Sequence, residues 1–197
     1  VNAIVSERAF REIYLKGFEI AIKKAQPWTI MSSYNKINGE YASESHKLLT
    51  EILRDEWGFQ GMVMTDWWGQ KDPIAQMQAG NDMLMPGTEK QVVTLIEAVE
   101  SGKLSQEDLN RNTTRVLDLV KKSPAYRNYP YSNKPDLKAH AQVTREAATE
   151  GFVLLENNGA LPLNKEIKTI APFGIATYDI FTGGSGSGYV HKPYKIT

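Results

Sequence analysis

The stretch Gly61-Met62-Val63-Met64-Thr65-Asp66-Trp67-Trp68 decides the reading of the fold. A short, continuous apolar run opened by glycine reads as a strand buried in a parallel sheet. The run stops abruptly at Asp66, with no turn residues before the charge. The carboxyl edge of such a sheet or barrel is where α/β folds gather their reactive groups.

The segments on the amino-terminal side fit that sheet. Ser45 to Trp57 carries Leu48, Leu49, Ile52 and Leu53 on one face, with Gly58 and Gly61 framing the exit, and is expected to be a helix. Trp28 to Tyr34 reads as a short buried strand. The polar loop Asn35-Lys36-Ile37-Asn38-Gly39 follows it, its Asn-Gly pair marking a turn. Further upstream, Ser6 can cap a helix running to about Lys24. Ala9, Phe10, Ile13, Tyr14, Phe18 and Ile22 recur there at three- and four-residue spacing.

Downstream the alternation continues with a helix from Pro73 to Ala79, a strand at Asp82 to Met85 and a helix from Glu89 to Ser101. Ser105 and Asp108 open a last amphipathic helix that ends near Lys122. Alternating strands and helices imply an α/β fold with a parallel sheet. From Ser123 to Pro135 the composition shifts to Pro, Tyr, Asn and Ser, so 123–136 is the expected linker. Beyond it come a helix from Leu137 to Glu150, a strand at Gly151 to Leu155 and a turn at Asn157-Asn158-Gly159. A strand at Lys168 to Pro172 and a glycine-rich loop from Phe181 to Gly188 complete the expected start of a second α/β domain.

Composition narrows the function. The 23 basic and 23 acidic side chains cancel, leaving no charge excess to favour nucleic acid or an anionic membrane as partner. No apolar run approaches the roughly 20 residues that span a bilayer. Without cysteine there is no disulfide and no thiolate nucleophile or ligand. His46, His140 and His191 have no spacing that would assemble a metal site, so no metal and no cofactor is expected. The glycine-rich loop lacks the Gly-Lys-Ser/Thr of a phosphate loop. Asn112-Thr113-Thr114 has the form of a glycosylation acceptor but falls in an expected helix. The start at Val1-Asn2-Ala3-Ile4 is neither an initiator methionine nor a signal peptide, and an internal piece of a longer protein is expected.

A carboxylate followed by Trp67 and Trp68 suits a sugar. An indole face covers the C–H face of a pyranose, and its N–H can bond a hydroxyl. The same residues also fit a plain structural role, in which Asp66 caps the following helix and the tryptophans belong to the core. Pattern alone leaves both open. Asp82 likewise fits a structural cap or a pocket residue, the structural role being favoured.

Six blocks then occur in order: Ser6-Glu7-Arg8-Ala9-Phe10-Arg11-Glu12-Ile13-Tyr14-Leu15, Met31-Ser32-Ser33-Tyr34-Asn35-Lys36-Ile37-Asn38-Gly39, Glu56-Trp57-Gly58-Phe59-Gln60-Gly61 running on to Asp66-Trp67, Asn81-Asp82-Met83-Leu84-Met85-Pro86-Gly87, Gly151-Phe152-Val153-Leu154-Leu155-Glu156-Asn157, and Gly183-Gly184-Ser185-Gly186-Ser187-Gly188-Tyr189-Val190. Together they resemble glycoside hydrolase family 3 β-glucosidases over essentially the whole chain.

The resemblance implies the later part of a (β/α)8-like barrel over 1–122, a linker over 123–136 and the start of an α/β sandwich over 137–197. It implies Asp66 as catalytic nucleophile and Trp67, Tyr34, Met31 and Ser187 as substrate-binding residues, with Ser185 as the alternative to Ser187. The family's acid/base glutamate is expected beyond Thr197, and its substrate-binding aspartate, arginine and Lys-His pair before Val1. The expected partners are a β-glucoside or oligosaccharide and the remaining segments of the same enzyme, homo-oligomers being compatible. The expected activity is retaining hydrolysis of terminal non-reducing β-D-glucosyl residues through a glycosyl ester on Asp66. The alternatives are a β-xylosidase or N-acetylhexosaminidase of the same family, or a non-catalytic carbohydrate-binding fragment. Family hexosaminidases often end after the barrel and use a histidine dyad, so a second domain leans towards glucosidase.

Overall fold

A computed structural model describes residues 1–69, 71–178, 180–181 and 183–190. His191, discounted above as a metal ligand, lies outside them. The chain divides into two compact units, Val1–Tyr131 and Ser132–Thr197.

The first unit is α/β. Strand β2, Thr29–Ser32, pairs in parallel with β5, Met62–Thr65, placing Ile30 opposite Val63 and Ser32 opposite Thr65. β2 is therefore shorter than the Trp28 to Tyr34 strand expected from sequence. Successive side chains on a strand face opposite ways, so Ile30, Ser32, Val63 and Thr65 share one face and Met31 and Met64 the other. The first face is the better covered: Val63 and Thr65 are fully buried, while Met31 is 56% exposed.

Two helical runs cover the buried face. The first, α1, extends over 7–25, α-helical at Glu7–Ala9 and Lys16–Ala25 and wound as a π-helix at Phe10–Tyr14. Ser6 caps it, its hydroxyl oxygen accepting the Ala9 N–H at 3.3 Å. The second, α2, is a π-helix over Lys47–Glu56. Leu15 and Ile22 of α1 meet Leu49, Ile52 and Leu53 of α2 in one core with Trp57, Phe59 and Val63. Fully burying each such side chain stabilises the fold by about 1.5–3 kcal/mol.

A smaller sheet is built by β1, Asn2–Ala3, parallel to β3, Lys36–Ile37, which forms a hairpin with β4, Glu40–Tyr41. Asn38 and Gly39 make the turn at φ +51° and +94°, the two left-handed residues that a tight two-residue hairpin demands. The Asn38 amide also clasps the upstream chain. Its Oδ1 accepts the Val5 N–H and its Nδ2 donates to the Val5 carbonyl, both at 2.9 Å.

Beyond β5 come α3, Pro73–Ala79, α4, Glu89–Glu100, and α5, Gln106–Lys122. Met77, Ala98 and Leu104 pack them into a second core cluster. The strand expected at Asp82 to Met85 is reduced to a single bridge between Met83 and Met64. The reason is local. The Asp82 carboxylate takes the Val63 N–H at 2.8 Å, and the Asp82 and Met83 amides both converge on the Val63 carbonyl, so a regular ladder cannot extend. Asn112 of α5 is fully buried and donates its Nδ2 to the Met77 and Asn81 carbonyls, which removes it as a glycan acceptor.

The turn into β5 is closed tightly. A β-carbon at Gly61 would sit 2.6 Å from Cζ of the buried Phe59 ring and collide with the Trp28 carbonyl, which accepts the Met62 N–H. Gly61→Ala is expected to destabilise the protein by about 1–3 kcal/mol through overpacking, read as a lower urea midpoint. An unchanged midpoint would show that the Phe59 ring and the Trp28 carbonyl both give way without cost.

The second unit contains α6, Leu137–Gly151, capped by Asp136, whose Oδ1 accepts the Ala139 N–H at 3.0 Å. Among its described residues there is no strand. The strand expected at Gly151 to Leu155 is absent because Gly151 ends the helix, and Phe152 to Leu155 follow without a pairing partner, Leu155 being 93% exposed. The strand expected at Lys168 to Pro172 is also absent, Ile170 being 70% exposed. A strand needs a neighbour to take its alternate N–H and C=O groups, and no described segment of this unit supplies one.

Candidate active site

Asp66 follows directly on β5. Its main-chain N–H continues the pairing with β2 by donating to the Ser32 carbonyl at 2.8 Å. Continuing the strand alternation puts its side chain on the face of Met31 and Met64, where it is half-buried. The chain then reverses. Asp66 Oδ1 accepts the Trp67 N–H at 2.7 Å, and the Asp66 carbonyl accepts the Gly69 N–H at 3.3 Å.

Trp68, third of the four residues in this turn, stands at φ +61°. A type II turn uses that conformation and normally fills it with glycine. A bulky residue held there stores backbone strain of about 1–3 kcal/mol, a condition found most often at functional sites.

The structural role open to this stretch in the sequence, a helix cap followed by core tryptophans, is not the one observed. Asp66 is not the cap of the following helix. Asp72 is, its Oδ1 accepting the Ile74 and Ala75 N–H groups, with Pro73 in the first turn. Nor are the tryptophans core, since Trp67 is 55% and Trp68 72% exposed. Their rings meet edge to face with centroids 6.3 Å apart.

Tyr34 stands beside the turn. A β-carbon at Gly69 would lie 3.2 Å from both the Asp66 carbonyl oxygen and Tyr34 Cβ, so Asp66, Gly69 and Tyr34 are immediate neighbours. Met31 lies further back on β2, in the wall of an apolar cavity of about 230 Å³ with Phe10, Tyr14 and Phe18. That cavity contains no carboxylate among its lining residues. Ser187 belongs to the second unit, exposed in a 3₁₀ turn at Gly186–Gly188. The first unit thus brings together Asp66, Trp67 and Tyr34, with Met31 on the same sheet.

Behind the turn lies a buried polar network that sequence patterns did not reveal. The Ser43 hydroxyl donates to the Gly69 carbonyl at 3.0 Å. Gln76 Nε2 donates to the same carbonyl at 3.0 Å and to Ser43 Oγ at 3.1 Å. Asn81 donates its Nδ2 to the Ser43 carbonyl and accepts the Ser32 hydroxyl at 2.9 Å. Ser43, Gln76 and Asn81 are all fully buried.

A second, ionic network anchors the strand itself. Asp82, with its side chain fully buried, pairs with Arg54 at 2.8 Å and Arg115 at 3.0 Å. Arg54 Nη1 also donates to the Gly61 carbonyl at 3.0 Å. Burial pushes the Asp82 carboxyl up, and the Val63 N–H and the two guanidiniums pull it back. Burial brings the Arg54 guanidinium down to about 10, against the attraction of Asp82, so it stays charged at neutral pH. Asp82 is structural, but as the centre of a buried ion pair bonded to β5 and not as a cap, and its partners Arg54 and Arg115 carried no sequence signal. Of the histidines, His46 lies 3.4 Å from Glu51 and His140 is exposed on α6.

The first unit is thus an α/β protein with a carboxylate and an exposed indole at the carboxyl edge of its parallel strand pair. The glycosyl hydrolase family 3 N terminal domain matches residues 2–119, and the chain belongs to that family. Among its relatives, thermostable beta-glucosidase B of Acetivibrio thermocellus is 44% identical over 195 residues, covering 96% of this chain and 25% of the relative. An exo-alpha-(1->6)-L-arabinopyranosidase of Bifidobacterium breve is 46% identical over 170 residues, 83% of this chain and 22% of its own length. Among solved structures, beta-glucosidase 3B from Thermotoga neapolitana in complex with alpha-D-glucose superposes with a TM-score of 0.85 at 49% identity, covering 98% of this chain and 28% of that one. The chain therefore spans about a quarter of the length of the relatives it matches.

Proposed function

We infer that the protein containing this chain is a retaining exo-β-glucosidase with Asp66 as its nucleophile. The observation that carries the reading is a half-buried carboxylate at the end of β5, flanked by Trp67 and Tyr34, in a chain 44% identical to a β-glucosidase. In the proposed reaction the Asp66 carboxylate attacks the anomeric carbon while the bond to the leaving oxygen breaks. A second carboxyl, about 5–5.5 Å from the first in retaining glycosidases, gives that oxygen its proton. Water, losing its proton to the same second group, then cleaves the glycosyl ester and frees Asp66. Trp67 supplies the stacking surface, Tyr34 and Met31 line the sugar's other sides, and Ser187, with Ser185 as its alternative, is a further substrate-binding residue. The acid/base glutamate belongs to the remainder of the enzyme.

The barrel reading of 1–122 is supported by a parallel pair whose one face is packed by helices while the other presents Met31 and Met64. The sandwich reading of 137–197 rests on the family resemblance. The β-xylosidase and N-acetylhexosaminidase alternatives gain nothing from the relatives named above. The arabinopyranosidase relative does show that sugar choice varies among proteins this similar, as expected when a few contacts set it.

The test is covalent trapping. The intact protein, treated with an activated 2-deoxy-2-fluoro-β-glucoside, is expected to carry one fluoroglucosyl group on the peptide containing Asp66. A label on another carboxylate removes Asp66 from the role. Labelling only by an arabinopyranosyl analogue keeps the mechanism and changes the sugar.

A further inference from the structure

The hydrogen bonds around Asp66 close on themselves. Asp66 N–H donates to the Ser32 carbonyl, and the Ser32 hydroxyl to Asn81 Oδ1. Asn81 Nδ2 donates to the Ser43 carbonyl, the Ser43 hydroxyl to the Gly69 carbonyl, and the Gly69 N–H to the Asp66 carbonyl. Gln76 braces the ring from α3, its Nε2 donating to Ser43 Oγ and to the Gly69 carbonyl. The members come from β2, the 3₁₀ turn Ala42–Glu44, α3 and the loop after it, and from the Asp66 turn itself.

The ring holds both ends of the turn that carries the strained residue. A tryptophan at φ +61° persists only where its surroundings over-determine the conformation, and the Gly69 carbonyl, the first acceptor after Trp68, is held by two buried donors. Were that grip lost, the Asp66–Gly69 turn could relax towards a right-handed conformation at Trp68. The Asp66 carboxylate and the Trp67 ring would rotate with it, because Trp67 N–H is bonded to Asp66 Oδ1.

We propose that Ser43 and Gln76 are positioning residues for the nucleophile, clamping the Gly69 carbonyl so that the Asp66 carboxylate is held in its attacking orientation. The proposal rests on the reading of Asp66 as nucleophile. Neither residue touches the sugar. Both act through the main chain of the turn, at the step in which the glycosyl ester forms. A displacement near 1 Å at a reacting group can cost about 10²-fold in rate, which sets the scale of the effect.

The experiment uses the intact enzyme with Gln76→Met, a near-isosteric change that removes both donors, together with Ser43→Ala and the double variant. The quantities measured are the rate of fluoroglucosyl trapping, kcat and KM with an activated aryl glucoside, active-site concentration from the trapped label, and thermal midpoint. Per titrated active site, trapping rate and kcat are expected to fall about 10- to 100-fold in each single variant, with KM changed by less than about threefold. The double variant is expected to be little worse than either single one, because both residues hold the same carbonyl. A variant whose folded fraction drops while each remaining site traps at the wild-type rate would overturn the proposal and leave a purely structural role. So would fully additive losses. Failure of the underlying reading is distinguishable, since wild-type protein would then carry no label on Asp66 at all.

Discussion

Asp66→Asn is expected to lower glucoside hydrolysis by the intact protein about 10⁴-fold or more, the scale seen when a group essential to a covalent intermediate is removed. The side chain is nearly isosteric, and its amide oxygen can still accept the Trp67 N–H now bonded to Asp66 Oδ1. The turn should therefore keep its shape while the chemistry is lost, because an amide cannot form the glycosyl ester. Unchanged circular dichroism and thermal midpoint, measured beside kcat, establish that the loss is chemical.

Asp66→Ala adds a second readout. It vacates the face of the sugar opposite the leaving group, where azide can attack in place of the carboxylate and give a glycosyl azide of inverted configuration. Restoration of turnover by azide, with an α-glucosyl azide as product, is the expected outcome. An Asp66→Asn protein within tenfold of wild type would remove the residue from catalysis.

The largest expected stability effect lies at Asp82→Ala, at about 3–5 kcal/mol, the cost of removing one partner from a buried ion pair. Arg54, itself only 8% exposed, would be left with its charge uncompensated, and Arg115 would lose the same partner. The Val63 N–H would lose its acceptor in the middle of β5. Since β5 carries Asp66, the strand end should loosen before the whole domain does. Urea unfolding followed by tryptophan fluorescence is expected to show the lower midpoint. Hydrogen exchange is expected to speed up at the amides of 62–66. If both stay at wild-type values, Arg54 and Arg115 find other partners and the strand does not depend on this carboxylate.

The sequence by itself determined the elements whose cause is local. Ser6 capping α1, the Asn38-Gly39 turn, the apolar faces of α1, α2 and α5, and the short strand that runs into Asp66 all follow from periodicity, capping and turn chemistry between near neighbours. The same stretch placed a carboxylate and indoles at a sheet edge, and the order of the blocks around it led to the family.

What remained undetermined had non-local causes. Whether Asp66 was a helix cap was settled by Asp72 taking that position. The expected strand at 82–85 was lost to a side chain competing for a backbone donor on β5, and those at 151–155 and 168–172 found no neighbour to pair with among the described residues. The ring of Ser32, Asn81, Ser43 and Gln76, and the pairing of Asp82 with Arg54 and Arg115, join residues brought together only when β2, α2, α3 and α5 pack around β5. A polar side chain far along the chain carries no periodic signature of its partner. Only tertiary structure could decide that these groups are buried, and burial is what makes an unmet hydrogen bond or charge costly enough to hold one geometry.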